Sequence, residues 1–325
     1  TVAGYHRAGA ALMSPGARLL EEPMSKTPQE APRPPRVILD KSFVQGGRTQ
    51  VIRMLCEHRQ ALMPDVLFYE MLTSEEPGRS RCFAKFPGTN PVIIVPNVGT
   101  LLQFELDHHR PCGLPSAHAS SITYQFNPRL AAREYMLPAT AQETLNEEEI
   151  RLEGEIETLI EMINMAPDLF PDSFQGTAVE RERAQREAQR VLATDEASIV
   201  EFYSQLTPTD PAIKPPPAEK LSRDWIHFRW LQVKLSASLQ LHVKYGPVTG
   251  TLTPKRRHEF ENFVLDMQYA MLALLEGGLA SKDDWLRALF VCLRPDGLLM
   301  PSAEELMRER QAQAAVNHRE RVKST

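Results

Sequence analysis

Val37-Ile38-Leu39-Asp40-Lys41-Ser42-Phe43 opens with a short, wholly apolar, β-branched run that stops on a carboxylate and passes into a residue able to cap a helix. A parallel strand covered by helices on both sides has no polar face to show, so such a run is how a buried strand begins an α/β domain. Ser42 is the capping candidate, and Phe43, Val44, Val51, Ile52 and Leu55 predict a helix continuing to about Arg59, with a weak point at Gly46-Gly47. Further on, Pro64-Asp65 precedes a periodic stretch to Leu72 and marks a helix start, which puts Glu70 inside that helix. Residues 74–90, rich in Gly, Pro, Ser and Arg, read as loop; Val92 to Val95 reads as a strand and Gly99 to Asp107 as a short helix.

The other end of the chain is equally readable. Thr253 caps, Pro254 suits the first helical position, and Phe260, Phe263, Val264, Met267, Met271, Leu274 and Leu275 trace one helical face that ends at Gly277-Gly278. Leu279 to Ser281 predicts a short strand, Asp284 to Leu293 a helix, and Gly297 to Met300 a last strand before a polar terminal helix opened by Ser302 and Glu305. Between the two ends, Thr144 to Met165, Glu180 to Leu206 and Ser222 to Tyr245 read as helices, with the proline-rich tract 208–220 as a stiff connector. The expected organisation is a flexible leader (1–36), the first part of an α/β domain (37–110), a mainly helical insertion (111–250), the second part of the α/β domain (251–302) and a polar tail (303–325).

Length and composition bound the function. A chain of 325 residues suits one enlarged domain or two ordinary ones, and 42% hydrophobic residues supply a sizeable core. With 37 basic against 42 acidic residues the formal charge is −5, which excludes a basic nucleic-acid coat but permits a local positive groove. The four cysteines form no CxxC pair, so neither a disulfide framework nor a zinc ribbon is expected, and a reducing cytoplasm is the simplest location. Apolar runs fall far short of the roughly 20 residues that cross a bilayer, so no membrane is expected.

Asp40 ends a strand, Glu70 lies in a helix, Asp266 lies on the long helix of the last unit, and Asp283 follows the strand after it. The carboxyl ends of parallel strands share one sheet edge, which can bring Asp40 and Asp283 together. Carboxylates gathered in one pocket repel unless a divalent cation neutralises them, and hard oxygen ligands favour Mg²⁺ or Mn²⁺.

In their local contexts these acids resemble the PIN-like nuclease family. The apolar strand running into Asp40-Lys41-Ser42, the Pro64-led helix bearing Glu70-Met71-Leu72, the Asp266 helix with Ala270 and Ala273, and Gly277-Gly278 followed by Ser281-Lys282-Asp283-Asp284 stand in the family's order. The resemblance covers residues 37 to 72 and 255 to 301. It implies a three-layer α/β fold with a central parallel sheet, interrupted here by a mainly helical insertion, and a metal-dependent nuclease acting on RNA, such as a bacterial toxin or defence effector. It also implies Mg²⁺ or Mn²⁺ ligation by Asp40, Glu70, Asp266 and Asp283, supported by Ser42 and Ser281. Asn262, one turn before Asp266, is a further supporting residue, and Asp284 competes with Asp283 for the fourth position. Lys41 stands where the family more usually has a small residue, and nearly two hundred residues separate Glu70 from Asp266, where the family is normally compact.

Lys255-Arg256-Arg257 at the start of the Asp266 helix are candidate contacts to a nucleic-acid backbone. Two other readings stand beside the nuclease. One is a non-catalytic interaction module that kept the fold and uses its helical middle for a protein partner or a second copy. The other is a phosphoesterase of the Asp-His-His kind, from Asp107-His108-His109; a zinc site from His108, His109, Cys112 and His118 is weaker still, because the spacing matches no closed pattern. Trp225, Phe228 and Trp230 on an apolar helix read as core.

Overall fold

The apolar run at the start of the chain forms β1 (Arg36–Leu39), the middle strand of the sheet. The computed structural model describes residues 36–58, 60–86, 93–119, 127–207 and 215–300; the expected leader, the tail with Ser302 and Glu305, and most of the 208–220 tract before Pro215 lie outside the described residues. In chain order the elements after β1 are α1 (Lys41–Gly46), α2 (Thr49–His58), β2 (Gln60–Pro64), α3 (Asp65–Thr73), α4 (Gly78–Phe83), β3 (Ile93–Val95) and α5 (Val98–His108). There follow α6 (Ala139–Leu169), α7 (Ala178–Thr194), α8 (Glu196–Leu206), α9 (Ile226–Tyr245), α10 (Pro254–Glu276), β4 (Gly278–Ala280), α11 (Asp284–Leu293) and β5 (Leu298–Leu299).

The molecule is α/β, with five parallel strands in the order β3-β2-β1-β4-β5. The chain moves outward from β1 through β2 to β3, then returns after α5 to α10 and lays β4 on the opposite edge of β1. The direction of strand addition therefore reverses at β1, and the carboxyl ends of β1 and β4 flank that reversal, the kind of position at which open α/β sheets bind ligands. Register fixes this junction: Leu39 pairs with Ala280, and the Asp40 amide donates to the Ala280 carbonyl at 3.0 Å. Gly278 is required for the approach, since a Cβ there would lie 2.2 Å from the Arg36 carbonyl oxygen. Gly277 ends α10 at φ +96°, a left-handed conformation that glycine adopts without steric cost.

One continuous core joins Val37, Ile38, Leu62 and Leu279 of the sheet to Leu272 of α10, Leu159 of α6 and Val233 of α9. A second cluster forms around Leu192, Ile199, Phe228 and Leu235, where Trp225 and Phe228 are core residues as expected. The start of α9 lacks a side-chain cap of its own. Glu105 of α5 supplies it: fully buried, its carboxylate accepts from the Ile226 amide at 2.7 Å, the His227 amide at 3.1 Å and His227 Nδ1 at 2.7 Å. The unpaired amides and positive dipole end of a helix account for a carboxylate there.

Local structure differs from the sequence expectation in four places. Residues 60–64 form β2, the immediate neighbour of β1. The helix expected from Ser42 to about Arg59 is two helices, broken after Gly47. The stretch 74–90 contains α4. Glu180 to Leu206 is divided at Asp195, whose carboxylate accepts from the Ala197 and Ser198 amides at 3.0 and 3.4 Å and starts a new helix. Among the described residues no helix is long and apolar enough to cross a membrane.

Candidate functional site

Asp40 leaves the end of β1 and is 3% exposed. Its extended backbone makes it the N-cap of α1, accepting from the Ser42 amide at 3.3 Å. The second carboxylate oxygen accepts from the Ser42 hydroxyl and from the Ser281 hydroxyl, the latter at 2.6 Å. Ser42 Oγ in turn accepts from the amides of Lys282 and Asp283 at 2.9 and 3.1 Å, and Ser281 Oγ accepts from the Asp283 amide at 3.0 Å. Two serines more than two hundred residues apart in sequence thus stitch the carboxyl ends of β1 and β4 together and fix the Asp40 carboxyl between them.

Asp283 is the N-cap of α11, its Oδ1 accepting from the Leu286 amide at 2.8 Å. Asp284 is exposed in the first turn of that helix, and Asn262 is exposed on α10. Glu70, in α3, is buried; its Oε2 accepts from the Tyr269 hydroxyl at 2.5 Å and its Oε1 lies 3.3 Å from the Lys41 ammonium. Asp266 is half-buried on α10, one turn before Tyr269. Among the described residues its carboxyl has no hydrogen-bond or ion-pair partner.

Electrostatics places the four acids in one field. Burial, and then the charges of Asp283, Asp40 and Glu70, push Asp266 up from 3.8 to about 9. Burial raises Asp40 against the opposing pull of the Ser281 and Ser42 hydrogen bonds, with Asp283 adding to the rise. Burial likewise raises Glu70, opposed by the Lys41 charge and the Tyr269 hydroxyl. On the same helix as Glu70, burial and then the charges of Glu261, Glu149, Glu148 and Glu70 lift the Tyr69 hydroxyl to about 12. Each rise is the price of bringing like charges together where water is scarce.

Among the described residues, however, no three acidic, histidine or cysteine side chains stand close enough to ligate a single ion. The acids feel one another without forming a closed coordination shell. The donor set nevertheless has the right chemistry for Mg²⁺ or Mn²⁺, being oxygen alone and including, in Asp266, a carboxyl with no partner among the described residues. Mg²⁺ commonly holds on to several waters and takes only one or two protein carboxylates, so an open arrangement of this kind fits it.

Of the cationic cluster on α10, Lys255 is exposed, Arg256 lies over the Tyr245 ring at 4.9 Å, and Arg257 is ion-paired with Glu153 of α6. Asp107, His108 and His109 are exposed at the end of α5, where His108 Nδ1 meets the Phe104 carbonyl oxygen at 2.8 Å; no zinc-ligating group with Cys112 and His118 occurs among the described residues. Two participants escaped sequence reasoning, Tyr269 and the pairing of Lys41 with Glu70. A tyrosine on an apolar helix reads as core, and the contact with Glu70 spans 199 residues.

Comparison with protein-family models, with curated proteins and with solved structures gives no match. The functional reading therefore rests on the residues and their geometry.

Proposed function

We propose that the chain is a PIN-like, divalent-metal-dependent nuclease that hydrolyses phosphodiester bonds, with RNA as the preferred substrate. One observation carries this reading: acids from the two ends of the chain, Asp40 and Glu70 from one and Asp266 and Asp283 from the other, share a buried field at the strand-order reversal. One or two carboxylates from among Asp40, Asp266 and Asp283 would hold Mg²⁺ or Mn²⁺ together with bound water, with the remaining acids and Glu70 beside them. When bound, such an ion supplies Lewis acidity to the attacking water and offsets charge developing on the phosphate.

The protein's own groups do the positioning. Ser42 and Ser281 hold the Asp40 carboxyl in a single orientation, so it needs no reordering when the cation or substrate arrives. The Asp283 cap fixes one of its carboxylate oxygens. Tyr269 and Lys41 hold Glu70 from two sides, and Lys41, part-exposed at the start of α1, places a positive charge where a phosphate would approach.

The Lys41–Glu70 pair also favours a second reading, because it gives one acid a counter-charge without any ion. A non-catalytic interaction module could keep the fold on those terms. Mn²⁺-dependent cleavage of labelled single-stranded RNA by the purified chain separates the two. Asp40→Asn and Asp266→Asn should each lower the rate by at least about 100-fold, the scale of losing an oriented charge at a hydrolytic centre. Undiminished cleavage by both variants rejects the assignment, and inactivity of the unaltered protein on every nucleic acid favours the interaction module.

A further inference from the structure

The face of α10 that carries Asp266 continues away from the acids into a row of aromatic and cationic side chains. Arg256, Phe263 and Asp266 are seven and three residues apart and so lie along one side of the helix. At the far end of the row Arg256 lies 4.9 Å from the centre of the Tyr245 ring. The Lys244 ammonium sits between Tyr245 and Phe263, at 4.8 and 5.5 Å from their ring centres. Phe263 then meets Trp285 edge to face, with centroids 5.5 Å apart. Trp285 is held by its indole N–H, which donates to Gln240 at 2.6 Å, and it stands two residues after Asp283. The row therefore runs Arg256, Tyr245, Lys244, Phe263, Trp285 and ends beside two of the four acids.

Three features separate this row from ordinary core packing. Tyr245, Phe263 and Trp285 are all part-exposed, whereas Phe260 beneath them is fully buried and packs edge to face on Tyr245 at 5.7 Å. Lys244 is exposed, as is the adjacent Lys255, so charge faces solvent along the row. Glu259 accepts from the Tyr245 hydroxyl at 3.2 Å, a contact with the phenol oxygen and not with a ring face. On a chain of net charge −5, a local band of cations on aromatic rings is complementary to a polyanion whose units carry flat apolar faces.

We propose that this row binds single-stranded nucleic acid, with bases stacking on Phe263, Trp285 and Tyr245 and phosphates meeting Lys244 and Arg256. Stacking needs bases that are not already paired, so a single strand is selected over a duplex. The cations are already held in place by the rings, so little ordering is needed when they take up phosphates. The direction of the strand, toward Asp266 and Asp283, rests on the nuclease reading; binding by the row does not.

The test uses the full chain in EDTA, where no metal-dependent cleavage can occur, so binding succeeds or fails independently of hydrolysis. Anisotropy of a fluorescein-labelled oligouridylate of about 12 nucleotides is compared with the matching deoxy strand and with a duplex of equal length. The single strands should bind about ten-fold tighter than the duplex, and Phe263→Ala should weaken single-strand binding about ten-fold, with Phe263→Tyr restoring it. Lys244→Ala combined with Arg256→Ala should weaken binding and flatten its dependence on salt. Trp285→Phe should remove quenching of tryptophan emission by the single strand, a readout that needs no change at Phe263. Equal affinity for duplex and single strand overturns the proposal, as does sensitivity to the cation pair without sensitivity to Phe263→Ala, which would describe a polyanion site for a partner such as an acidic peptide. No measurable binding by the unaltered chain overturns it outright.

Discussion

Replacing Glu155 by alanine is expected to destabilise the protein by about 3–5 kcal/mol, the cost of leaving a buried charge without its partner. Lys234 on α9 is fully buried, and among the described residues its ammonium finds no hydrogen-bond partner. Its counter-charge is Glu155 of α6, at 3.7 Å, which also receives Arg151 at 2.5 Å and the Gln268 side-chain amide of α10 at 3.4 Å. Three helices, among them the one that carries Asp266, therefore meet at a single buried carboxylate.

Burial lowers the Lys234 pKa from its ordinary 10.5. A base whose folded pKa is depressed loses stability as pH falls below 10.5, so the Glu155→Ala deficit should shrink as pH is raised toward 10.5 and grow as pH is lowered. Urea unfolding measures it, and adding Lys234→Met to Glu155→Ala should recover most of the loss by removing the stranded charge. A deficit below about 1 kcal/mol, unchanged by the second substitution, would mean that the pair does not hold the three helices together.

Asp266→Asn should act in the opposite direction and stabilise the metal-free protein. An acid raised from 3.8 to about 9 is held more firmly in its protonated form by the folded chain than by the unfolded one. Its contribution to stability is most favourable below 3.8 and is lost progressively as pH rises toward 9, because ionisation is opposed by burial first and then by the charges of Asp283, Asp40 and Glu70. At neutral pH the penalty is on the order of 2–4 kcal/mol, the lower figure allowing for water at the part-exposed carboxyl. Asparagine cannot ionise, so the variant should melt several degrees higher than the unaltered protein in EDTA at pH 8, with the difference vanishing near pH 4. Equal melting at pH 8 would mean that neither burial nor the neighbouring acids raise Asp266.

The sequence made the ends of the chain legible and left their meeting partly hidden. β1, α10 and α11 carry strong local signals: an apolar run stopped by Asp40, a Thr253-Pro254 start with a Gly277 stop, and a helix start at Asp284, where the structure adds that Asp283 is the cap. β2 was obscured because three apolar residues, Ala61 to Met63, have no measurable period and Pro64-Asp65 signals a helix start. Pro64 closes β2 and caps α3 at once, so both signals are true. The division of α7 from α8 at Asp195 was missed because apolar and charged spacing continues across it while one capping side chain interrupts the backbone. At the site, Asp40-x-Ser42 and Ser281-x-Asp283 were visible as local patterns, but the hydrogen bond from Ser281 to Asp40 depends on β4 pairing with β1. Lys41 was visible as a departure, and only packing shows that its ammonium faces Glu70.

The proposed nuclease depends on a cation held among Asp40, Asp266 and Asp283, with Glu70 beside them. Mn²⁺ uptake, followed by the electron paramagnetic resonance of the free ion at neutral pH without nucleic acid, tests it without requiring turnover. The unaltered chain should take up Mn²⁺ stoichiometrically, Mg²⁺ should compete, and Asp40→Asn and Asp266→Asn should each weaken uptake by at least about ten-fold. Uptake that persists undiminished in both variants, or none by the unaltered chain, would contradict the claim.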